Sequence, residues 1–380
     1  MTRKLLQTLA ATLVLAAAGL IGWRVLAPAE VLEPATTPYP VAAVRSPGVI
    51  GKLTMAPLIV DDRIRVYAGK RLVKADGPVD TKMLATARWS FRRWPAQVSG
   101  VVAVGATVVT RWTDGEMVAL DGRTGRVAWR ADAPAGEPFE ERTGVTAVWR
   151  PPGLHVAGDA VLVTDGRKLL ALAAADGSTR WTVDLPRGCA QPFATAGGQF
   201  VCGEGAWDAA SGRPVRGWPV GPSTALGCDV ARSRCAGLRD AAGQGWLTGG
   251  RRVVRTPALD APETTAGAGL VLSTAGGTVT ASGAAEWSWP GEASVLGVRG
   301  DKVVLLALDR RLVILDARTG VQKASFRMYV KKERVESWRA NLWQVTESHV
   351  AIERLEQDAG TDPAEPHHYY TMDPSIIAAI

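Results

Sequence analysis

Residues 101–132 read VVAVGATVVTRWTDGEMVALDGRTGRVAWRAD. A β-branched run turns at Gly105. A second run, GEMVALDG, leads into Arg123-Thr124-Gly125, and a third run carries Trp129. Short β-branched segments separated by turn residues read as strands. Each marked residue has a physical task. Leu120 fills space between sheets, and the Asp121 carboxylate can accept from backbone N–H groups and fix the turn. Gly125 supplies a positive φ that other residues strain to adopt. Trp129 is a large flat filler for the contact between adjacent sheets.

The same order recurs, and recurrence decides the architecture. Leu172-x4-Gly177 leads to Trp181, and Trp207-Asp208-x3-Gly212 leads to Trp218. Leu315-Asp316-x3-Gly320 leads to Phe326, and a shortened copy runs from Val279-x3-Gly283 to Trp287. Val73-x2-Asp76 before Trp89, and Met372-Asp373 after a Tyr-rich stretch, extend the pattern to both ends. First-hairpin turns fall near Asp62, Gly105, Gly158, Gly197, Arg232, Gly267, Gly300 and Glu347. Their spacing averages about 41 residues, within the range of propeller blades. The runs KVVLLAL at 302–308 and LVIL at 312–315 are continuously apolar, as strands buried on both faces must be. The expectation is an all-β propeller over 56–380 with eight blades. Seven is the alternative, because 225–256 lacks both Leu-Asp and Thr-Gly. Closure of the ring removes sheet edges that would otherwise invite aggregation.

This unit resembles the PQQ-like β-propeller repeat, strand, Leu-Asp-x-x-Thr-Gly, Trp-containing strand, most closely at Leu120, Asp121, Thr124, Gly125 and Trp129 and at Leu315, Asp316, Thr319 and Gly320. The repeat is shared by quinoprotein alcohol and sugar dehydrogenases and by the non-enzymatic propeller lipoprotein of the outer-membrane β-barrel assembly machinery. The resemblance implies either a quinone-dependent oxidoreductase or a binding scaffold. Alcohol-oxidising quinoproteins are longer, and hold the quinone with an adjacent Cys-Cys disulfide and a Ca²⁺ site that includes Asn. This chain has no adjacent cysteines, and its only asparagine, Asn341, lies before the last unit. The expected cofactor is therefore none. WD40 is set aside because Trp207-Asp208 occupies the Leu-Asp position and not a strand end.

The 380-residue chain is 47% hydrophobic and 21% charged, a folding composition. Its +7 net charge is too mild and dispersed to indicate nucleic acid. Arg3 and Lys4 precede an uncharged run, residues 5–23, which as a helix would span roughly 28 Å. The reading is a signal-anchor, with residues 1–4 cytoplasmic and everything after residue 24 outside. Cleavage at Ala27-Pro28-Ala29, releasing a secreted protein, is the alternative. Residues 24–55, with five prolines between 28 and 47, read as a stiff linker able to reach on the order of 80 Å.

Cys189, Cys202, Cys228 and Cys235 form an even set in a domain expected outside the membrane. Cys228 and Cys235 lie symmetrically about a turn at Ala231–Arg232 and pair across one hairpin, leaving Cys189 with Cys202; four reduced thiols is the alternative. No GxSxG, P-loop or HExxH occurs, so no catalytic or metal residue is assigned. Two inserts break the repeat: 133–152, with Glu137, Glu140 and Glu141, and 328–341, with Lys331, Lys332 and Arg334. These charged residues are the candidate partner surface. The functional expectation is a membrane-tethered, extracytoplasmic, non-catalytic binding or scaffold protein contacting an envelope protein or wall ligand. The alternatives are a PQQ-dependent sugar or alcohol oxidoreductase and a ligand-sensing domain for a membrane partner.

Overall fold

A computed structural model describes residues 7–380 except 9–11, 20–21, 23–26, 43–44, 81–85, 187–188, 190, 204, 220, 331–332 and 334–336. The strands form eight antiparallel sheets arranged as the blades of a propeller. In chain order, blade one runs from Leu58–Val60 to Trp89–Trp94, blade two from Val98–Val104 to Val127–Asp132, and blade three from Leu154–Ala157 to Thr179–Asp184. Blade four runs from Phe193–Ala194 to Gly205–Asp208, and blade five from Thr224–Leu226 to Val254–Arg255. Blades six and seven end at Trp287–Pro290 and Gln322–Arg327, and blade eight begins at Trp338–Val345. All eight first-hairpin turns fall where the repeat places them.

Continuous apolar runs become strands that bury both faces. Val303 to Leu305 and Leu312 to Leu315 are almost wholly removed from water between blades six, seven and eight. Separate apolar clusters fill the gaps between blades two and three and between three and four. The degenerate stretch 225–256 is not a broken unit: it makes a full four-stranded sheet. The short blade is four, with three strands among the described residues.

The structure bears on two expectations at the N-terminus. Among the described residues no helix is long and apolar enough to cross a membrane, and the expected anchor over 5–23 lies partly outside the described residues. Helical residues are described at 7–8, 12–19 and 22; the rest of that segment lies outside the described residues. Nor is 24–55 a free linker. Ala29–Glu33 adds a fifth, outermost strand to blade one, pairing with Trp89–Trp94. Gly48–Leu53 pairs with Ser375–Ala379 and becomes the outer strand of blade eight. The prolines hid these strands, because they sit between the paired segments and not within them.

Candidate functional site

The motif residues build the contacts between blades. Asp121 accepts from the Arg123 N–H at 3.0 Å and from the Thr124 hydroxyl at 3.0 Å. Asp316 repeats this with Arg318 N, Thr319 N and the Thr319 hydroxyl, and Asp208 with Ser211 N and its hydroxyl. The turn so fixed receives the indole of the preceding blade. Trp89 Nε1 donates to the Gly122 carbonyl, Trp129 to Ala174, Trp181 to Ala209 and Trp287 to Ala317, at 2.9–3.2 Å. Gly125, Gly177, Gly212 and Gly320 lie under those four rings at φ of 70–74°. Leu120, Leu172 and Leu315 are fully buried beside them. Three motif residues stand apart. Trp218 Nε1 is buried without a partner, since blade five presents no matching turn. Gly283 faces the Gly269 carbonyl, and Phe326 packs on the cluster between blades seven and eight.

The first strands of the blades lie innermost, and the ring they form is not an open channel. Insert 133–152 folds inward. Its short helix, Val145–Trp149, packs against the first strands of blades two and eight, and Trp149 Nε1 donates to the Pro57 carbonyl at 2.9 Å. Glu141, expected at a partner surface, is 9% exposed and accepts from Thr146 N at 2.7 Å. A carboxylate there satisfies an N–H that the helix leaves open. Glu137 and Glu140 remain exposed. Lys331, Lys332 and Arg334 lie outside the described residues, while Glu333 is buried in an ion pair with Arg354 at 2.9 Å. So Glu141 and the short helix of 133–152 are packed inside the ring, while Glu137, Glu140 and Arg150 of the same insert stay exposed.

Both cysteine pairs are bonded, Cys189–Cys202 and Cys228–Cys235. The second closes a loop that reaches across the ring. Ala231, 2% exposed, packs with the cluster of blades two and three, and its carbonyl lies 2.7 Å from His155 Nδ1. A carbonyl only accepts, so Nδ1 carries the proton. Burial pushes His155 down to about 4, against the pull of that carbonyl, and Arg232 and Arg111 add to the lowering. The Ser233 hydroxyl accepts from Val156 N at 2.8 Å. Asp229 pairs with Arg299 of blade seven and lies 3.6 Å from Arg234. Ala231, Arg232 and Arg234 all have positive φ. The sequence showed the hairpin but not this reach, because non-glycine residues gave no sign of left-handed backbone.

Above the loop lies a basin of about 1190 Å³, lined by the first-hairpin turns and the disulfide loop. Its wall includes a half-buried knot that sequence reading missed. Asp62 of blade one accepts from the Ser348 hydroxyl at 2.7 Å, from Thr346 and, at 3.2 Å, from His349 Nδ1. Burial raises the Asp62 carboxyl, but these hydrogen bonds outweigh it and hold the group at about 2. Elsewhere in the basin the charge is less balanced. Among the described residues Arg150 is exposed with no ion pair, and the Arg232 side chain donates to Gln191 Oε1 at 3.2 Å. Burial lowers Arg232, and the neighbouring Arg150 lowers it further.

This arrangement defines an eight-bladed β-propeller whose centre is plugged by its own insert and a disulfide loop. No protein-family model and no curated protein sequence matches the chain. Among solved structures it is similar to BamB from Moraxella catarrhalis, at 17% identity over 90% of this chain and 99% of that one, TM-score 0.45. It is similar also to the C-terminal WD40 domain of Sif2 (12%; 89% and 99%; 0.48) and to the quinohemoprotein alcohol dehydrogenase ADHIIG from Pseudomonas putida HK5 (13%; 88% and 75%; 0.43). These are likenesses of fold. The residues present do not fit a quinone site of the dehydrogenase kind. Cys228 and Cys235 are seven residues apart, and Asn341 is spent on Glu353 at 2.7 Å. Among the described residues no group of three His, Cys, Asp or Glu is placed to hold a metal.

Proposed function

We propose that the chain is an extracytoplasmic, non-catalytic binding protein of the cell envelope, docking an acidic protein segment in the basin at the mouth of the ring. The observation that carries this reading is the Arg150–Arg232 pair. Two guanidinium groups near enough to repel stand over a floor held by a disulfide, and neither has an ion pair among the described residues. Like charges held close together cost free energy that an anionic partner offsets. A concave, pre-formed site loses little entropy when it binds. The two disulfides support an oxidising compartment. Tethering through 5–23 rests on the hydropathy of the sequence alone.

The test places a photocrosslinking side chain at Arg232 and, as a control, at Arg318 on an outer turn, in cells making the full chain. One discrete adduct from position 232, absent from 318 and abolished by Arg150→Glu, is expected. Equal labelling from both positions, or an adduct indifferent to Arg150→Glu, would overturn the proposal.

A further inference from the structure

Blade eight carries its own long connection, residues 357–374, between its second strand, His349–Glu356, and its third, Ser375–Ala379. The second strand starts at the basin, where Thr346 and Glu347 form the rim, and runs away from it. At ~3.3 Å per residue its length sets the connection about 26 Å from that rim, at the opposite end of the ring. Asp358, Asp362 and Glu365 are exposed there, and none has an ion pair among the described residues. Glu140 and Glu356 join Asp362 and Glu365 around a hollow of about 560 Å³. Arg142 lines the same hollow but is turned to the Met372 and Thr371 carbonyls, at 3.1 and 3.2 Å, and to the Tyr369 ring.

The two ends of the ring therefore carry opposite charge without internal partners. Arg150 and Arg232 stand at one end, and the carboxylates of the 357–367 stretch at the other. Glu347 is exposed on the blade-eight side of the basin, so the positive side is that of the disulfide loop. The acidic stretch is held in shape before it meets anything. Arg310 Nη2 donates to Gln357 Oε1 at 3.0 Å, Arg339 Nη2 to the Ala359 carbonyl at 2.9 Å, and Asp362 Oδ1 accepts from Ala364 N at 2.9 Å. Pro363 and Pro366 restrict it further. A loop already ordered loses little entropy on docking. Arginine suits carboxylates, which its planar fork can take through paired hydrogen bonds. The loop cannot reach the basin of its own chain across the height of the ring, so a basin that receives it belongs to another molecule.

We propose that the acidic segment taken by the basin is the 357–367 loop of a second copy of this chain, with Asp362 and Glu365 set against Arg150 and Arg232. This rests on the reading of the basin as a dock for an acidic segment and names its occupant. The contact is heterologous: each ring offers one loop and one basin, so docking leaves a free loop at one end and a free basin at the other, and rings add head to tail. Ion pairs at accessible sites contribute little each, so the association is weak, with a dissociation constant on the order of 50 μM, and dilute chains stay monomeric.

The experiment is sedimentation velocity of the full chain in detergent, from ~5 to ~500 μM. The unaltered chain is expected to pass from monomer to a series of larger species, and about 0.5 M salt should return it to monomer. Asp362→Asn with Glu365→Gln, and separately Arg150→Gln with Arg232→Gln, should each weaken association about tenfold or more. The two double variants are then mixed. One keeps a working basin and the other a working loop, so together they should form a one-to-one pair and nothing larger, because the outward end of each partner is neutral. Three results would overturn the inference: an unaltered chain that stays monomeric throughout, association indifferent to either double variant, or no pairing in the mixture. Its failure is distinguishable from failure of the basin as a dock. If rings never associate but a crosslinker at position 232 captures a different protein in an Arg150-dependent way, the dock stands and the second copy is not its occupant; if neither association nor an adduct is found, both readings fall.

Discussion

Gly320 carries two constraints at once. Its φ is +70°, and a Cβ there would meet Cγ and Cδ2 of Trp287 at 2.8 Å. Gly300, in the same blade, has φ +53° but open space around it. Gly300→Ala should therefore cost only left-handed strain, about 1 kcal/mol. Gly320→Ala adds displacement of a packed indole, for about 2–4 kcal/mol in all. Denaturant unfolding of the two variants separates these terms, and equal losses would refute the indole account. The repeat made Gly320 legible as a turn residue; that it is also the floor for a neighbouring tryptophan is a fact of three dimensions. His155 gave no such signal, being an isolated histidine in an apolar strand. Held down at about 4 by burial, it is neutral in the fold, while an unfolded histidine titrates near 6.5. A depressed folded value means stability is full above pH 6.5 and declines as pH falls toward 4. The decline from this group should be about 3 kcal/mol. His155→Gln, which can still donate to the Ala231 carbonyl, should flatten that part of the pH–stability curve. A curve with unchanged slope would assign the acid sensitivity elsewhere.

The Cys228–Cys235 loop shows how an element can be found in the sequence while its role is not. Symmetry of the two cysteines about Ala231–Arg232 is a local property, readable from spacing. Insertion of Ala231 among residues of blades two and three is not local, and no periodicity reports it. The same holds for Val145–Trp149, whose five residues are too few to display a helical period and whose burial comes wholly from the ring around it. In the chain-entropy account, a bridge closing so short a loop contributes about 2.5 kcal/mol. Replacing both cysteines by serine should lower stability by about that amount. Because the loop also forms the floor of the basin, the change should expose 229–234 to protease while blade contacts elsewhere hold. Limited proteolysis with mass mapping checks this. Cleavage distributed over all blades would mean that the bridge supports the whole ring and not the plug.

At the scale of the whole molecule, closure depends on pieces far apart in the chain. The side chain of Gln344 in blade eight both accepts from Ile59 N at 2.7 Å and donates to Ile59 O at 3.0 Å in blade one. Gly48–Leu53 completes blade eight against Ser375–Ala379, every residue of which is buried. The domain start suggested by the repeat, residue 56, leaves that strand out, because the repeat signal fades where a strand is borrowed from the other end of the chain. This makes truncation a sharp test. A fragment beginning at residue 28 retains both N-terminal strands. One beginning at residue 56 bares the backbone edge of an apolar strand, which templates association with other chains. The longer fragment should be monomeric with one cooperative transition, whereas 56–380 should form oligomers on size exclusion and melt lower. A synthetic peptide of residues 46–55, added in excess, should return 56–380 toward the monomer by filling the vacant edge. A monomeric 56–380 with an unchanged melting temperature would show that blade eight needs no borrowed strand, and the closure described here would then contribute geometry without stability.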